Sequence, residues 1–185
     1  MLTAAKPSKC KYCKQRMEVV GHKIHPDCVD AWWADQKAKL QAKKEREQKR
    51  RDRARGDALK THAEWKADAQ KAVNEYVRLR DADLPCISCG RLHDGAWHAG
   101  HFRSRGAAPQ LALDPRNIHR QCAPCNLYLH GNQINYRLGL VERYGLEYVL
   151  AIESENEPLK LTIEELRQLK TIYRAKAREF RKGKA

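Results

Sequence analysis

At 185 residues, with 42% hydrophobic composition but only two Phe and two Met, the chain allows one or two small domains and excludes a thick apolar core. Its formal charge of +14 points to a polyanionic partner, most economically nucleic acid, and the absence of a signal peptide or bilayer-length apolar run sets the expectation of a cytoplasmic protein without membrane contact. Seven cysteines, six of them in Cys-x-x-Cys pairs, favour zinc over disulfides, which would leave one thiol over.

Residues 1–34 carry CKYC (Cys10, Cys13) and HPDC (His25, Cys28), knuckles that together close a Cys₃His zinc site. His22 competes with His25 as the fourth ligand, but the three-residue spacing of His25 from Cys28 is the better knuckle. Residues 35–83 form a basic helical arm. The run from residue 37 to residue 55 holds ten Lys/Arg against three acids, with a thin apolar stripe, and reads as a solvated helix face or as a phosphate-tracking or dimer-forming arm. Gly56 is expected to break or kink it. Beyond it Leu59, Trp65, Ala69, Ala72, Val73, Tyr76 and Leu79 recur near one helical face, and Pro85 is the expected stop.

Residues 84–131 organise the chain. Cys86 and Cys89 open the stretch and Cys122 and Cys125 close it, a spacing that lets four thiolates surround one tetrahedral Zn²⁺ and clamps the loop between them. Within the clamp, GAWHAGHF reads as a strand ending at His101, the following Gly, Pro and Arg-rich loop ends at an Asp114-Pro115 turn, and residues 117–122 read as a second strand. Pro124 then starts a short helix ending at Gly131, with Asn126 and His130 on one face. His62 and His93 read as ordinary surface residues and His119 as undecided. Residues 132–185 form a helical buttress of two or three helices around a Gly145 turn, including a Thr162/Glu165 capping box and a basic tail. The overall expectation is α+β: a small zinc-stapled core flanked by helices, with an N-terminal zinc knuckle.

The segments EYVRLRDADLPCISCGR, HAGHFRSRG, NIHRQCAPCNLYLHGN and NYRLGLVERYG give the chain, over most of residues 70–145, a resemblance to the NinG (Rap) recombination proteins of lambdoid phages. The spacing of His101, Asn117, Cys122, Cys125 and Asn126 resembles the zinc-containing HNH, or ββα-metal, nuclease motif. The resemblance implies a structure-specific endonuclease cutting branched recombination DNA such as Holliday junctions and D-loops, working as a homodimer in the host cytoplasm, with other recombination proteins as further partners. Under it His101 is the general base, Asn117 fixes the loop, and His98 and Asn126 hold a catalytic Mg²⁺ or Mn²⁺. Gly100 departs from the motif, because many HNH enzymes carry a metal ligand there; His98 or His130 would replace it. Two rival readings stand beside this one: a non-catalytic zinc module that binds DNA and recruits partners, and an HNH nickase on linear duplex.

Overall fold

The computed structural model describes residues 9–17 and 22–183; parts of the N-terminal module and the last two residues of the basic tail lie outside them. The chain divides into two compact units, Met1–Leu59 and Lys60–Ala185, so the stretch expected as one arm over 35–83 spans the division.

In the first unit a tight knuckle forms around Cys10. Lys9 and Arg16 make an antiparallel bridge, the Cys10 N–H donates to Gln15 O at 2.8 Å, and Lys14, at φ 64°, donates back to Cys10 O at 3.0 Å. The 3₁₀ turn Pro26–Cys28 then feeds helix α1, Val29–Ala58, none of whose residues is buried. Good helix formers and pairs such as Lys39–Asp35 at 2.6 Å support it. The expected break falls just beyond Gly56, which lies in the last turn of α1: the helix ends at Ala58 and the next one starts at His62. Nothing lies within 4 Å of a Cβ built at Gly56, so no close packing requires the glycine there.

The second unit is mixed helix and sheet. Helix α2, His62–Arg80, opens on a capping box in which Thr61 Oγ1 accepts from the Glu64 N–H and Glu64 accepts from the Thr61 N–H. It buries Trp65, Ala69, Ala72, Val73 and Val77, whereas Leu59, expected on the same face, is 80% exposed and precedes the helix. The helix ends well before Pro85, because Asp81 is drawn into a buried network. Arg80 donates to its carboxylate at 2.6 and 2.8 Å and to Pro115 O and Ile118 O, while the Arg120 N–H donates to Asp81 Oδ2 at 3.0 Å. Arg120 also donates to Ala82 O and lies 3.6 Å over the Trp97 ring.

Strands β1 (Trp97–His101) and β2 (Ile118–Cys122) pair antiparallel, from Trp97 opposite Cys122 to His101 opposite Ile118. Because side chains alternate along a strand, His98, Gly100, His119 and Gln121 share one face, and Ala99, His101, Ile118 and Arg120 the other. Helix α2 covers the second face, where Ala99 and Ile118 join Trp65, Val73 and Val77 together with Leu166, Leu169 and Tyr173 of α5 (Ile163–Lys182). On the first face, helix α3 (Gln133–Tyr144) brings Tyr136, whose hydroxyl donates to Gly100 O at 3.0 Å. Leu140 and Tyr136 join Ile87 and Phe102 with Val149 and Ile152 of helix α4 (Leu146–Ser154). The turn between α3 and α4 needs Gly145, at φ 90°. Thr162 and Glu165 form the capping box of α5.

Candidate metal centres and active site

Two four-donor groups stand out among the described residues: Cys10, Cys13, His25 and Cys28, and Cys86, Cys89, Cys122 and Cys125, each with its ligand atoms within 4.8 Å of one another. All seven cysteines are free of disulfides. Two Zn–S bonds of about 2.3 Å at the tetrahedral angle span about 3.8 Å, and Cys89 Sγ lies 3.9 Å from Cys122 Sγ. The donor sets fit zinc. His25, and not His22, completes the first group: its Nδ1 is 3.3 Å from Cys13 Sγ, and its Nε2 is 3.2 Å from Arg16 O, which keeps the proton on Nε2 and frees Nδ1 for a metal.

The thiols behave as a set that cannot all ionise without a cation. Burial opposes ionisation of Cys86, yet the backbone N–H groups of Cys122, Cys89 and Ser88 pull it below the ordinary thiol value. Burial, with Cys86 beside them, pushes Cys89 and Cys122 up. In the N-terminal group, burial is outweighed by hydrogen bonds from the backbone of His25, Cys13 and Tyr12, which bring Cys10 down to about 6, while burial and Cys13 push Cys28 up to about 11. A divalent cation would supply the missing charge. His93, expected to be an ordinary surface residue, leans on the central cluster, with Nε2 3.3 Å from Cys89 Sγ.

The clamped loop holds a polar constellation. His101 ends β1, and its Nε2 lies 3.0 Å from Ala112 O and 3.5 Å from Gln70 Nε2. One nitrogen cannot donate to the first and accept from the second; the shorter contact, to a carbonyl, assigns the proton to Nε2 and leaves the lone pair on Nδ1. Burial, assisted by the nearby Arg105 cation, holds this imidazole below its ordinary pKa, against the opposing Ala112 carbonyl, so it is neutral at pH 7. Asn117 is fully buried and fastens the loop: its Oδ1 accepts from the Arg103 N–H at 2.7 Å, and its Nδ2 donates to Arg103 O at 2.9 Å and Leu111 O at 3.3 Å. The Arg103 guanidinium is committed to the end of α4, donating to Ile152 O, Glu153 O and Glu155 O.

His98 and His101, three apart on one strand, leave opposite faces of the sheet, with His98 on the α3 side. On that side Gly100 is closely packed: a Cβ there would lie 2.1 Å from Gln121 Oε1. Gln121 is fully buried, its nitrogen donates at 2.6 Å to both Ser88 Oγ and Gly131 O, and its oxygen has no partner. An unsatisfied oxygen thus stands in the space of the absent residue-100 side chain. The helix expected from Pro124 to Gly131 is instead a single π turn, Pro124–Tyr128, closed by Leu129 N–H to Pro124 O at 3.1 Å. His130 follows at φ 49° and is exposed, so it does not continue a helical face with Asn126. Among the described residues no third group of three or more His, Cys, Asp or Glu donors gathers, at His98 and His130 or elsewhere.

Three contributors carry no motif signal: Gln70 from α2, Gln121 from β2 and Gln133 of α3, whose Nε2 is 3.5 Å from His101 O. Only the fold brings them to the loop. His119 is core: fully buried, with Nδ1 3.1 Å from the Tyr136 hydroxyl and Nε2 without a partner, and burial, helped by the Arg80 cation, drives its pKa down to about 3. His62 Nε2 lies 2.7 Å from Leu161 O.

A family model described as "Bacteriophage Lambda NinG protein" matches residues 3–183. The chain is 40% identical to protein ninG of Escherichia phage 933W, over 98% of each chain. It is 40% identical to protein ninG of Salmonella phage P22 and 39% identical to that of Escherichia phage lambda, in both cases over 88% of this chain and 90% of the relative. No solved structure matches it.

Proposed function

The chain belongs to the NinG family of phage proteins, and from that premise we propose that its second unit is a metal-dependent, HNH-type endonuclease acting on branched recombination DNA such as Holliday junctions and D-loops. The observation that carries this reading is His101: a neutral imidazole at the end of a hairpin strand, with Nε2–H held by Ala112 O and Nδ1 left as a base. That is the state needed to take a proton from the water attacking a phosphodiester. Asn117 supports the geometry by locking the loop that carries the Ala112 carbonyl, and Arg105, exposed beside His101, would meet the negative charge of the scissile phosphate. Asn126 and His98 would hold a catalytic Mg²⁺ or Mn²⁺, without His130, whose backbone turns it away from Asn126. That ion would stabilise the developing phosphate charge and the departing 3′ oxygen. Cutting two strands calls for two such sites, hence a homodimer.

The lack of any carboxylate in this donor set favours one competitor, a non-catalytic zinc module that binds DNA. Incubation of the zinc-loaded protein with a synthetic four-way junction and a matched linear duplex, each with Mg²⁺ and with Mn²⁺, separates the readings. Paired cuts in the junction alone support the proposal, nicks in the linear duplex favour a nickase, and binding without cutting favours the recruiting module.

A further inference from the structure

The turn Pro124–Tyr128 sends three consecutive large apolar side chains into solvent: Leu127 is 50% exposed, Tyr128 76% and Leu129 56%. Runs of this kind are avoided on soluble surfaces unless they make contact with something. These side chains cannot fold back onto the core, because their backbone is pinned on both sides. Leu129 N–H is bonded to Pro124 O, Gly131 N–H to Cys125 O at 2.9 Å, and Cys125 itself belongs to the central thiol cluster. The π geometry is itself an energetically poor arrangement that recurs at functional sites.

The surrounding chain says what the occupant is. Residues 121–136, on either side of the turn, hold no Asp or Glu, in a protein of net charge +14. A second copy would bring like charge to like charge, whereas an anion with exposed apolar faces complements the patch. Nucleobases on a phosphate backbone have that chemistry, and they offer a free face only where pairing or stacking is interrupted. We propose that Leu127, Tyr128 and Leu129 form a stacking platform for bases freed at a DNA branch point, and so give the protein its preference for branched over linear DNA. The proposal rests on the reading of the second unit as a branched-DNA enzyme, since the platform directly follows Asn126.

The test uses the full-length, zinc-loaded protein with Ca²⁺ in place of the catalytic ion, and a four-way junction carrying 2-aminopurine at the branch. Wild type should raise the 2-aminopurine fluorescence. Tyr128→Ala should abolish that rise and weaken junction binding about tenfold, the scale of one base–aromatic stack, with zinc content and linear-duplex affinity unchanged. Tyr128→Trp should keep both. Wild-type behaviour of Tyr128→Ala and of the Leu127→Ala/Leu129→Ala double variant would overturn the proposal. So would sedimentation showing that Tyr128→Ala converts a dimer to monomers, which would assign the patch to a second copy. A wild type that unstacks the probe but cuts nothing with Mg²⁺ or Mn²⁺ sinks the nuclease reading alone; one that cuts junctions while Tyr128→Ala matches it throughout sinks the platform alone.

Discussion

A single carbonyl decides which nitrogen of His101 can act. With the proton held on Nε2 by Ala112 O, removal of the ring takes away a base and little packing, since the residue is only half-buried. His101→Ala should therefore retain zinc and junction affinity while single-turnover cleavage slows by roughly 10²- to 10⁴-fold. The folded-state pKa lies below the ordinary 6.5, so the base stays unprotonated at neutral pH and wild-type cleavage should decline only as pH falls below 6.5; an acidic limb centred above that value would contradict the assignment. Gly100 is constrained as tightly by its neighbour across the hairpin. Gly100→Ala places a Cβ 2.1 Å from Gln121 Oε1 and 3.1 Å from Gln121 Cβ, and the Gln121 amide is held at 2.6 Å by both Ser88 and Gly131. The clash should lower stability by about 1–3 kcal/mol, read as a shift in the denaturant midpoint. Adding Gln121→Ala should recover part of the loss, which a purely conformational effect of the glycine would not allow.

At the level of elements, what the sequence displays is whatever rests on local spacing. The strand ending at His101, the second strand into Cys122, both Cys-x-x-Cys clamps and the Thr162 cap depend on residues close together in the chain, and each is visible as a motif. The rest depends on tertiary packing. Arg80 and Arg120 look like two more cations in a basic protein until the fold wraps both around Asp81, and Arg103 looks like a phosphate ligand until α4 presents its terminal carbonyls. The stretch after Pro124 opens as a helix does, with Pro in its first turn, but is wound as a π turn between two hydrogen bonds, so Asn126 and His130 diverge. Helix α1 is the element whose function is least constrained by packing, since none of its residues is buried. If its cations follow a DNA backbone, replacing Lys43, Arg46, Arg50 and Arg53 with Gln should reduce the slope of log Kd against log salt by about 0.9 for each phosphate that is no longer neutralised, with the cleavage rate at saturating DNA unchanged. An unaltered slope would assign the helix to another role.

On the scale of the whole molecule, stability is built from thin layers, two small apolar clusters on either side of a pair of five-residue strands, and so it leans on buried groups that answer to pH and metal. His119 supplies the pH dependence. Its folded pKa of about 3 lies far below the ordinary 6.5, so the unfolded chain takes up a proton that the folded chain refuses. Stability is undiminished above pH 6.5 and falls by up to about 1.4 kcal/mol per pH unit below it, a slope that denaturation of His119→Gln at pH 7 and pH 5.5 should show reduced against wild type at equal zinc content. The contribution of metal is larger. Structural zinc contributes apparent binding energies of roughly 10 to 16 kcal/mol, as large as the whole stability of a domain of about 5–15 kcal/mol, and the two thiol groups sit in different compact units. Protein purified without chelator should thus carry two zinc ions per chain. Cys28→Ser should carry one and keep the cooperative unfolding of the second unit, because its missing ligand belongs to the first. Cys122→Ser should also carry one, but with the hairpin unclamped it should lose the protease-resistant core formed by residues 60–183 and, with it, every cut in a four-way junction. Loss of that core in Cys28→Ser, or its survival in Cys122→Ser, would show that the central cluster is not what holds the hairpin.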